Sequence, residues 1–399
     1  VVNEINADKE RGTTAQTCSS FGASTGVPTG PHALSPYWWT FDAPPSTFCP
    51  MDQWDAFRGP QRDRDAPAFQ QVTFILSRRP VAMLVAIAVA LAAGWIAGHA
   101  DHPTLRPDVD QLWFAARAIL DGRDPYALIG PGREFAYPWP LFYPLPAALF
   151  LVPLASFPVV VARIAIAALP AGLLAYLIAR TDPRGLVLFL SWAFYVNAWY
   201  AQWTPLLLCA LYLPALGFFA AAKPSVGLAI LAGARNWRHL SLSIGLAALI
   251  TIASLLVLPT WPAAWLKAIA TGVHLRPWVT VPGGFLLLLS LLRWRRWEGR
   301  LLAAIAIVPQ TFHPLATLPV ILLPASFRGK LLLALLTYVP GVLLVREPWG
   351  PRLATATEAE IFAVWGRLIL WTVLIPALFF VLRLPDRRDD IPGRPARSP

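Results

Sequence analysis

Two acidic residues, Asp108 and Asp110, stand at the start of a stretch whose apolar residues recur at helical spacing. The stretch runs from 110 to 121, and it is followed by Gly122, a residue type that commonly ends helices. A carboxylate at such a place could take a proton from an attacking hydroxyl, as a general base does. The local alternative is that acidic side chains favour the positive end of a helix. Residue types and spacing leave both interpretations open.

Lys223 is the second candidate for chemistry. It lies in an apolar context directly before Pro224, and residues 80–399 contain only three lysines. A lysine inside an apolar membrane segment is costly and by default marks a functional site. An ammonium there would stabilise charge that develops on a phosphate. The alternative is that the side chain extends to the membrane interface.

Other polar residues beside aromatic side chains are candidates for substrate contacts. Histidines more often have structural roles, and arginines beside tryptophans also anchor proteins at membrane interfaces. Arg117 has a local alternative as well, since it can pair with Asp121 four residues on. The candidates are Gln202, His274, Arg276, His313 and Arg117.

No metal site is predicted. The three cysteines have no metal-ligand spacing and form no disulfide framework. Scattered acidic residues are compatible with a divalent cation, but nothing in their spacing requires one. Motifs for a phosphate-binding loop or a serine or zinc hydrolase are absent from the sequence.

The composition indicates that the elements which position these residues are membrane segments. Of the 399 residues, 56% are hydrophobic and 14% are charged, against about 25% charged in soluble domains. An ordinary cytosolic enzyme is thereby excluded, and so is disorder over most of the chain. The 40 prolines indicate broken helices and short loops, and the 18 tryptophans are typical of membrane interfaces.

The sequence predicts three regions. Residues 1–79 are rich in Ser, Thr, Pro and Gly, and we expect them to be disordered or loosely attached, with tryptophans that could bind a membrane or a partner in a membrane complex. Residues 80–382 contain the apolar runs. Residues 383–399 form a basic tail, expected to be cytoplasmic.

The charge distribution predicts an orientation. Residues 1–79 hold 7 Lys/Arg and 8 Asp/Glu, a net charge of −1, and the remaining residues hold 26 and 14, a net charge of +12. Because this positive charge lies in short clusters between apolar runs, it marks cytoplasmic loops rather than a nucleic-acid-binding face. Both termini are then cytoplasmic, and the acidic loop 99–137 lies outside a plasma or inner membrane.

We therefore predict an all-α, polytopic transmembrane helix bundle of roughly 10–12 membrane segments, with interfacial helices in the first outer loop. The passage from that loop to Arg180 constrains the topology. Either the proline-rich run 141–157 lies along the interface and 160–179 spans, or both runs span and Arg180 lies outside. The break at Lys223–Pro224 is typical of helices that line a binding site.

Several motifs resemble those of polyprenyl-phosphate-sugar-dependent glycosyltransferases of the GT-C superfamily, in particular the mannosyltransferase group of glycosyltransferase family 87. The similar stretches cover about residues 80–240: Asp108 to Tyr126, Tyr137-Pro-Trp-Pro-Leu141 and Lys223-Pro224. The Tyr-Pro segment is one residue longer than in the family. The Gly-Gln pair of the family is present as Ala201-Gln202, a departure at the glycine.

The resemblance implies a GT-C-like fold and an inverting transfer of a hexose or pentose, with mannose as the first expectation. The donor would be a sugar on a polyprenyl phosphate, the acceptor a lipid or glycan at the extracytoplasmic face, and no cofactor is required. Asp108 would be the base, and the acidic residue Asp110 would be a second catalytic residue. Substrate-binding residues would be Lys223, Gln202, Arg276, His274, His313, Arg117 and Tyr137.

Two other functions compete with this one. A lipid or solute transporter would also use broken helices and a lysine at membrane depth, although the confinement of acidic residues to loops disfavours it. A non-catalytic accessory subunit of a membrane complex would retain the ancestry without activity, and would bind its partner through residues 1–79.

Overall fold

The computed structural model of the chain describes residues 67–100, 106–234, 237–272, 275–345 and 357–384. Most of these residues are helical. The α-helices are α1 (Pro67–Ser77), α2 (Arg79–Gly98), α3 (Asp108–Leu120), α4 (Pro125–Leu128), α5 (Leu145–Leu149), α6 (Val159–Thr181), α7 (Trp192–Trp199), α8 (Thr204–Cys209), α9 (Pro224–Ala232), α10 (Trp237–Ser254), α11 (Trp261–Ala270), α12 (Trp297–Ile307), α13 (Phe327–Leu336), α14 (Tyr338–Val345), α15 (Glu358–Ile369) and α16 (Ile375–Leu382).

Short elements join these helices. A π-helical turn, Leu370–Leu374, makes α15 and α16 continuous. The 3₁₀ helices are Val152–Leu154, Pro183–Leu190, Pro214–Ala221, Trp278–Thr280, Gly284–Arg293 and Pro314–Leu322. Two pairs of two-residue strands complete the described part: β1 (Ile129–Gly130) is parallel to β2 (Phe135–Ala136), and β3 (Leu275–Arg276) is antiparallel to β4 (Gln310–Thr311).

The most extensive helix packing joins α2 and α6. One side of α2 carries small residues four apart, namely Ala86, Ala90, Gly94 and Gly98. A Cβ added at Gly172 of α6 would meet the Ala90 Cβ at 3.0 Å and the Ala86 carbonyl oxygen at 3.1 Å. Small residues at such spacing allow two helix backbones to approach closely, as in membrane helix pairs.

The other side of α2 carries large apolar residues that remain exposed. Leu84, Leu91 and Trp95 are each 66–69% exposed. Alanines and glycine lie inside, and leucines lie outside, which is the reverse of the arrangement in a water-soluble helix. In water this side of α2 would be an unfavourable apolar patch.

α2 and α6 run antiparallel, and polar contacts at both ends show it. At one end the Arg180 guanidinium donates to the Ser77 carbonyl, just before α2 begins. At the other end the Arg163 guanidinium donates to the Ala100 carbonyl, just after α2 ends, at 3.3 Å. Arg180 and Arg163 therefore lie at opposite ends of a helix of 23 residues, which is about 35 Å long.

Three helices in the described part of the chain are long and apolar enough to cross a membrane: Arg79–Gly98, Val159–Thr181 and Ala359–Leu382. The other predicted apolar runs form shorter α-helices or 3₁₀ helices. Within 141–157 the structure has only α5 and a 3₁₀ turn, whereas 159–181 is one continuous helix. Only the second of these two runs therefore forms a helix of spanning length.

The structured part begins earlier than the sequence indicated. Residues 1–66 of the predicted loosely attached segment, and 385–399 of the predicted basic tail, lie outside the described residues. Residues 67–77, which we had expected to belong to the loose segment, form α1 and pack against α2 and α6. The sequence signal for α1 is the apolar run that includes Val72, Phe74 and Ile75, which continues the apolar character of α2 across Arg78.

We expect the substitution Gly172→Leu to destabilise the α2–α6 pair, because the new side chain meets a backbone carbonyl and a Cβ that cannot move aside. Overpacking of this kind costs about 1–3 kcal/mol. The measurement is the apparent melting temperature of the purified protein in detergent. Gly245→Leu is the matched control, because a Cβ at this exposed glycine of α10 meets nothing within 4 Å. Equal melting temperatures for the two variants would contradict the packing.

Candidate functional site

The Asp108 carboxylate accepts three hydrogen bonds. Tyr137 donates its hydroxyl to Oδ1 at 3.0 Å, and Tyr143 donates its hydroxyl to Oδ2 at 2.9 Å. The Gln202 amide donates from Nε2 to Oδ2 at 2.6 Å. A carboxylate offers about four acceptor positions, so one position remains, on Oδ1. Asp108 is only half-buried.

Lys223 is linked to this carboxylate through Gln202. Its ammonium donates to Gln202 Oε1, while the other end of the same amide donates to Asp108. The ammonium also lies 5.8 Å from the centre of the Tyr143 ring. Because an ammonium has no acceptor, Oε1 must face Lys223, which leaves Nε2 for Asp108. The positive charge therefore lies one amide away from the negative charge.

Lys223 reaches this place because the chain breaks there. The 3₁₀ helix 214–221 ends before it, and α9 begins directly after it with Pro224. Proline is favoured at the first position of a helix, and it disfavours helical backbone in the residue before it. Lys223 accordingly has φ −142° and ψ 78°, outside the helical region. The predicted break at Lys223–Pro224 is confirmed.

The two tyrosines are held by their surroundings. Tyr126 donates its hydroxyl to the Tyr143 carbonyl at 2.9 Å. The Trp265 indole of α11 donates to the neighbouring Phe142 carbonyl at 2.8 Å. Phe135, two residues before Tyr137, stacks on Phe114 of α3 with ring centres 4.7 Å apart. Side chains of α4 and α11 thus both contribute to the support of Tyr143.

Both tyrosines remain protonated hydrogen-bond donors. Burial, and then the charge of Asp108, raise the pKa of Tyr137 and of Tyr143 well above the usual value of 10. The same two causes raise the pKa of Tyr200 to about 12. Each of these hydroxyls is therefore protonated near neutral pH.

Two helices next to site residues, α3 and α7, end with the same backbone geometry. At the end of α3, the Arg123 amide donates to the Ala118 carbonyl and the Gly122 amide to the Ile119 carbonyl, with Gly122 at φ 69°. These bonds form a Schellman motif, and the left-handed residue in it is commonly glycine. The prediction that α3 ends at Gly122 is confirmed.

At the end of α7 the left-handed residue is an alanine. The Gln202 amide donates to the Asn197 carbonyl and the Ala201 amide to the Ala198 carbonyl, and Ala201 has φ 46°. Among the non-glycine residues that the structure describes, Ala201 is the one with positive φ. This turn directs the Gln202 side chain to Asp108. The resembled family has glycine at this position, and the structure gives the physical reason for a glycine there.

Asp110, predicted as a second catalytic residue, faces a different partner. The Arg163 guanidinium donates from Nε to Oδ1 at 2.7 Å and from Nη2 to Oδ2 at 2.6 Å. Asp110 is 4% exposed and Arg163 is 8% exposed. Both carboxylate oxygens are therefore occupied by a buried, bidentate ion pair.

His313 lies among aromatic rings next to this site. Its ring is perpendicular to that of Tyr200, with centres 5.8 Å apart, and it stacks on Trp365 at 5.2 Å. Tyr200 is one of the three tyrosines whose pKa the charge of Asp108 raises. Arg276 is exposed and belongs to β3, which pairs with β4 just before His313.

Two of the predicted substrate residues are not part of this cluster. Arg117 is exposed and lies over the Trp113 ring at 5.0 Å. It is nine residues beyond Asp108 on α3, about 13 Å along the helix axis. Arg117 lines a shallow surface cavity together with Asp121, Arg123 and Glu134. His274 lies outside the described residues.

Sequence reasoning missed Tyr143 and Arg163. Tyr143 follows Tyr137 by six residues in the same proline-rich segment, but nothing in the spacing indicates that both hydroxyls reach one carboxylate. Arg163 had a signal, because an arginine near the start of an apolar run of spanning length marks a functional or paired charge. In the described ranges, no group of three or more His, Cys, Asp and Glu side chains is placed to hold a metal ion.

Comparison with known proteins does not extend these observations: no family model, no curated protein and no solved structure matches the chain.

We expect Ala201→Gly to be tolerated far better than Ala198→Gly, the same substitution in the last turn of α7. A left-handed conformation costs an L-residue roughly 1–2 kcal/mol, and glycine avoids this cost. Ala198→Gly in α7 removes an equally buried methyl group without relieving strain. The unfolding free energy of Ala201→Gly should therefore exceed that of Ala198→Gly by about 1–2 kcal/mol, measured by denaturant titration in detergent. A reversed order would contradict the left-handed backbone at Ala201.

Proposed function

We propose that the protein is a multi-pass membrane glycosyltransferase that moves a hexose or pentose from a polyprenyl phosphate to a lipid or glycan acceptor. The observation that carries the proposal is the Asp108 carboxylate, which is held by Tyr137, Tyr143 and Gln202 and is one amide away from the Lys223 ammonium. A general base and a phosphate-binding cation are the two groups that such a transfer requires.

The position of the site supports a substrate that lies in a membrane. Asp108 is at the Arg163 end of the α2–α6 pair, and both helices are of spanning length. The exposed leucines of α2 are suited to contact with lipid. A polyprenyl chain can remain in the bilayer while its phosphate reaches Lys223 at the membrane surface. The acidic loop and the basic clusters favour the extracytoplasmic face for this end.

The chemistry follows from the acceptor position that remains on Asp108 Oδ1. The acceptor hydroxyl gives its proton to the carboxylate as its oxygen forms a bond to the anomeric carbon. The bond from this carbon to the phosphate oxygen breaks on the opposite face, and its electron pair stays on the phosphate. Lys223 would stabilise the added negative charge, and the configuration at the anomeric carbon is inverted.

The tyrosines and Gln202 have a different task in this proposal. Three donors hold the carboxylate in one orientation, so that the remaining acceptor position always points the same way. Orientation of this kind reduces the entropic part of the barrier. The aromatic rings of Tyr200 and His313 are suited to lie against the apolar face of a sugar.

We expect Asp108→Asn to lower transfer by about 10²–10⁴-fold, the usual contribution of a general base. The assay is transfer of radiolabelled mannose from polyprenyl-phosphate mannose to an alkyl glycoside, followed by other polyprenyl-phosphate hexoses and pentoses. Asp121→Asn, an exposed change at the end of the same helix, is the control and should leave the rate unchanged. Wild-type transfer that survives in Asp108→Asn would refute the assignment of the base. Absence of transfer with every donor would favour the accessory-subunit alternative.

We expect Lys223→Met to raise the KM for the donor by roughly 10–100-fold, because a hydrogen bond to a charged group contributes about 1.5–3 kcal/mol. Lys267→Met is the matched control, since Lys267 is an exposed lysine on α11. The measurement is initial rate against donor concentration at saturating acceptor. Equal KM values for the two variants would show that Lys223 does not bind the phosphate.

A further inference from the structure

The ion pair between Asp110 and Arg163 lies two residues from the proposed base. It is bidentate, with distances of 2.7 and 2.6 Å, and both partners are more than nine-tenths buried. Burial of two charges is expensive, so such a pair is weak evidence for stability. A bidentate guanidinium–carboxylate pair does, however, fix the relative position and angle of two elements.

Arg163 joins three elements at one point. It belongs to α6, near its first turn, and it donates to the Asp110 carboxylate in the first turn of α3. It also donates to the Ala100 carbonyl, at 3.3 Å, just beyond the end of α2. One side chain therefore holds the chain on both sides of residues 101–105. The first turn of α3 carries Asp108 itself.

Gln202, which also holds the Asp108 carboxylate, is supported by α6 as well. Gln202 lies between α7 and α8, and both of these helices pack against α6. The Cys209 thiol of α8 contacts the Pro170 carbonyl of α6 at 3.9 Å. α6 is thus the common support for Asp108, through Arg163, and for Gln202, through α7 and α8.

We infer that Asp110 and Arg163 are positioning residues that set Asp108 against Gln202 and the acceptor hydroxyl, and that Asp110 is not itself a base. This inference rests on the proposed function. Because the guanidinium bonds to both oxygens of Asp110 and this residue is only 4% exposed, its remaining acceptor positions are closed to a substrate hydroxyl, unlike that on the half-buried Asp108. The pair acts on the reaction only through the position of Asp108.

The inference predicts a particular kinetic signature. If the pair is broken, Asp108 moves relative to the acceptor, and a displacement of about 1 Å can reduce a rate by 10²-fold. Donor binding depends on Lys223, which lies after α8 and does not contact the pair. The kcat should therefore fall while the KM for the donor stays the same.

The test uses the full-length protein in detergent, polyprenyl-phosphate mannose and an alkyl glycoside, with the donor replaced if another one is transferred. We expect Asp110→Asn to lower kcat by about 10–100-fold with the donor KM within about twofold. Arg163→Lys keeps the charge but loses the planar fork, and it should give a smaller fall in kcat. It is the variant to use if Asp110→Asn is not monodisperse. Asp121→Asn is the control on the exposed side of α3.

Two further measurements separate positioning from catalysis. The acidic limb of kcat against pH should persist in Asp110→Asn, because Asp108 remains the base. In an Asp108→Asn background, addition of Asp110→Asn should cause no further loss. Loss of the acidic limb, or an activity as low as that of Asp108→Asn, would identify Asp110 as a base. Wild-type kcat in both Asp110→Asn and Arg163→Lys would show that the pair has no positioning role.

A measurement without substrate distinguishes failure of this inference from failure of the proposed function. Amide hydrogen exchange in the first turns of α3 should accelerate in Asp110→Asn and in Arg163→Lys, but not in Asp121→Asn. If wild-type protein transfers no sugar and exchange accelerates, the proposed function fails while the pair still fixes α3. If exchange is unchanged, the inference fails whatever the activity.

Discussion

The close approach of α2 and α6 is the constraint on which the described structure depends. Small residues four apart let the two backbones come within Cβ contact, and arginines of α6 then reach carbonyls beyond both ends of α2. Lipid tails are as apolar as leucine, so a leucine gains little free energy by leaving lipid for a helix interface. Close packing of small residues and polar contacts must therefore stabilise the association of such a pair. α1, α3, α7 and α8 all pack against α6 in turn.

The candidate site is assembled on this pair from segments that are distant in the sequence. Asp108 begins α3, Tyr137 and Tyr143 belong to the proline-rich loop, Gln202 follows α7, and Lys223 precedes α9. Each of these residues lies at a break or an end of an element. The backbone at such places is not fully held by hydrogen bonds within a helix, so these residues can direct their side chains towards a common point.

Much of the site follows from local chemistry. Lys223 stands out as a lone charge in an apolar run, which is costly without a function. Asp108 stands out at the start of a helical stretch, and Gln202 as an amide among aromatic side chains. The end of α3 at Gly122 and the break before Pro224 follow from the conformational limits of glycine and proline. Tyr143 and Arg163 were missed because their importance comes from partners 35 and 53 residues away along the chain. Ala201 has the left-handed backbone that sterics disfavour in alanine, and the tertiary contact of the next residue, Gln202, with Asp108 explains why.

The sequence by itself determined an apolar, helical chain, the ends of two of its elements at Gly122 and before Pro224, and the residues whose charge is costly where it stands. These properties depend on side-chain transfer energies and on backbone sterics, which act over a few residues. The tertiary structure decided which of two neighbouring aspartates is held by hydroxyl and amide donors and which is paired with an arginine. That choice depends on distances between segments, since two residues on one helical turn point in different directions and meet different neighbours.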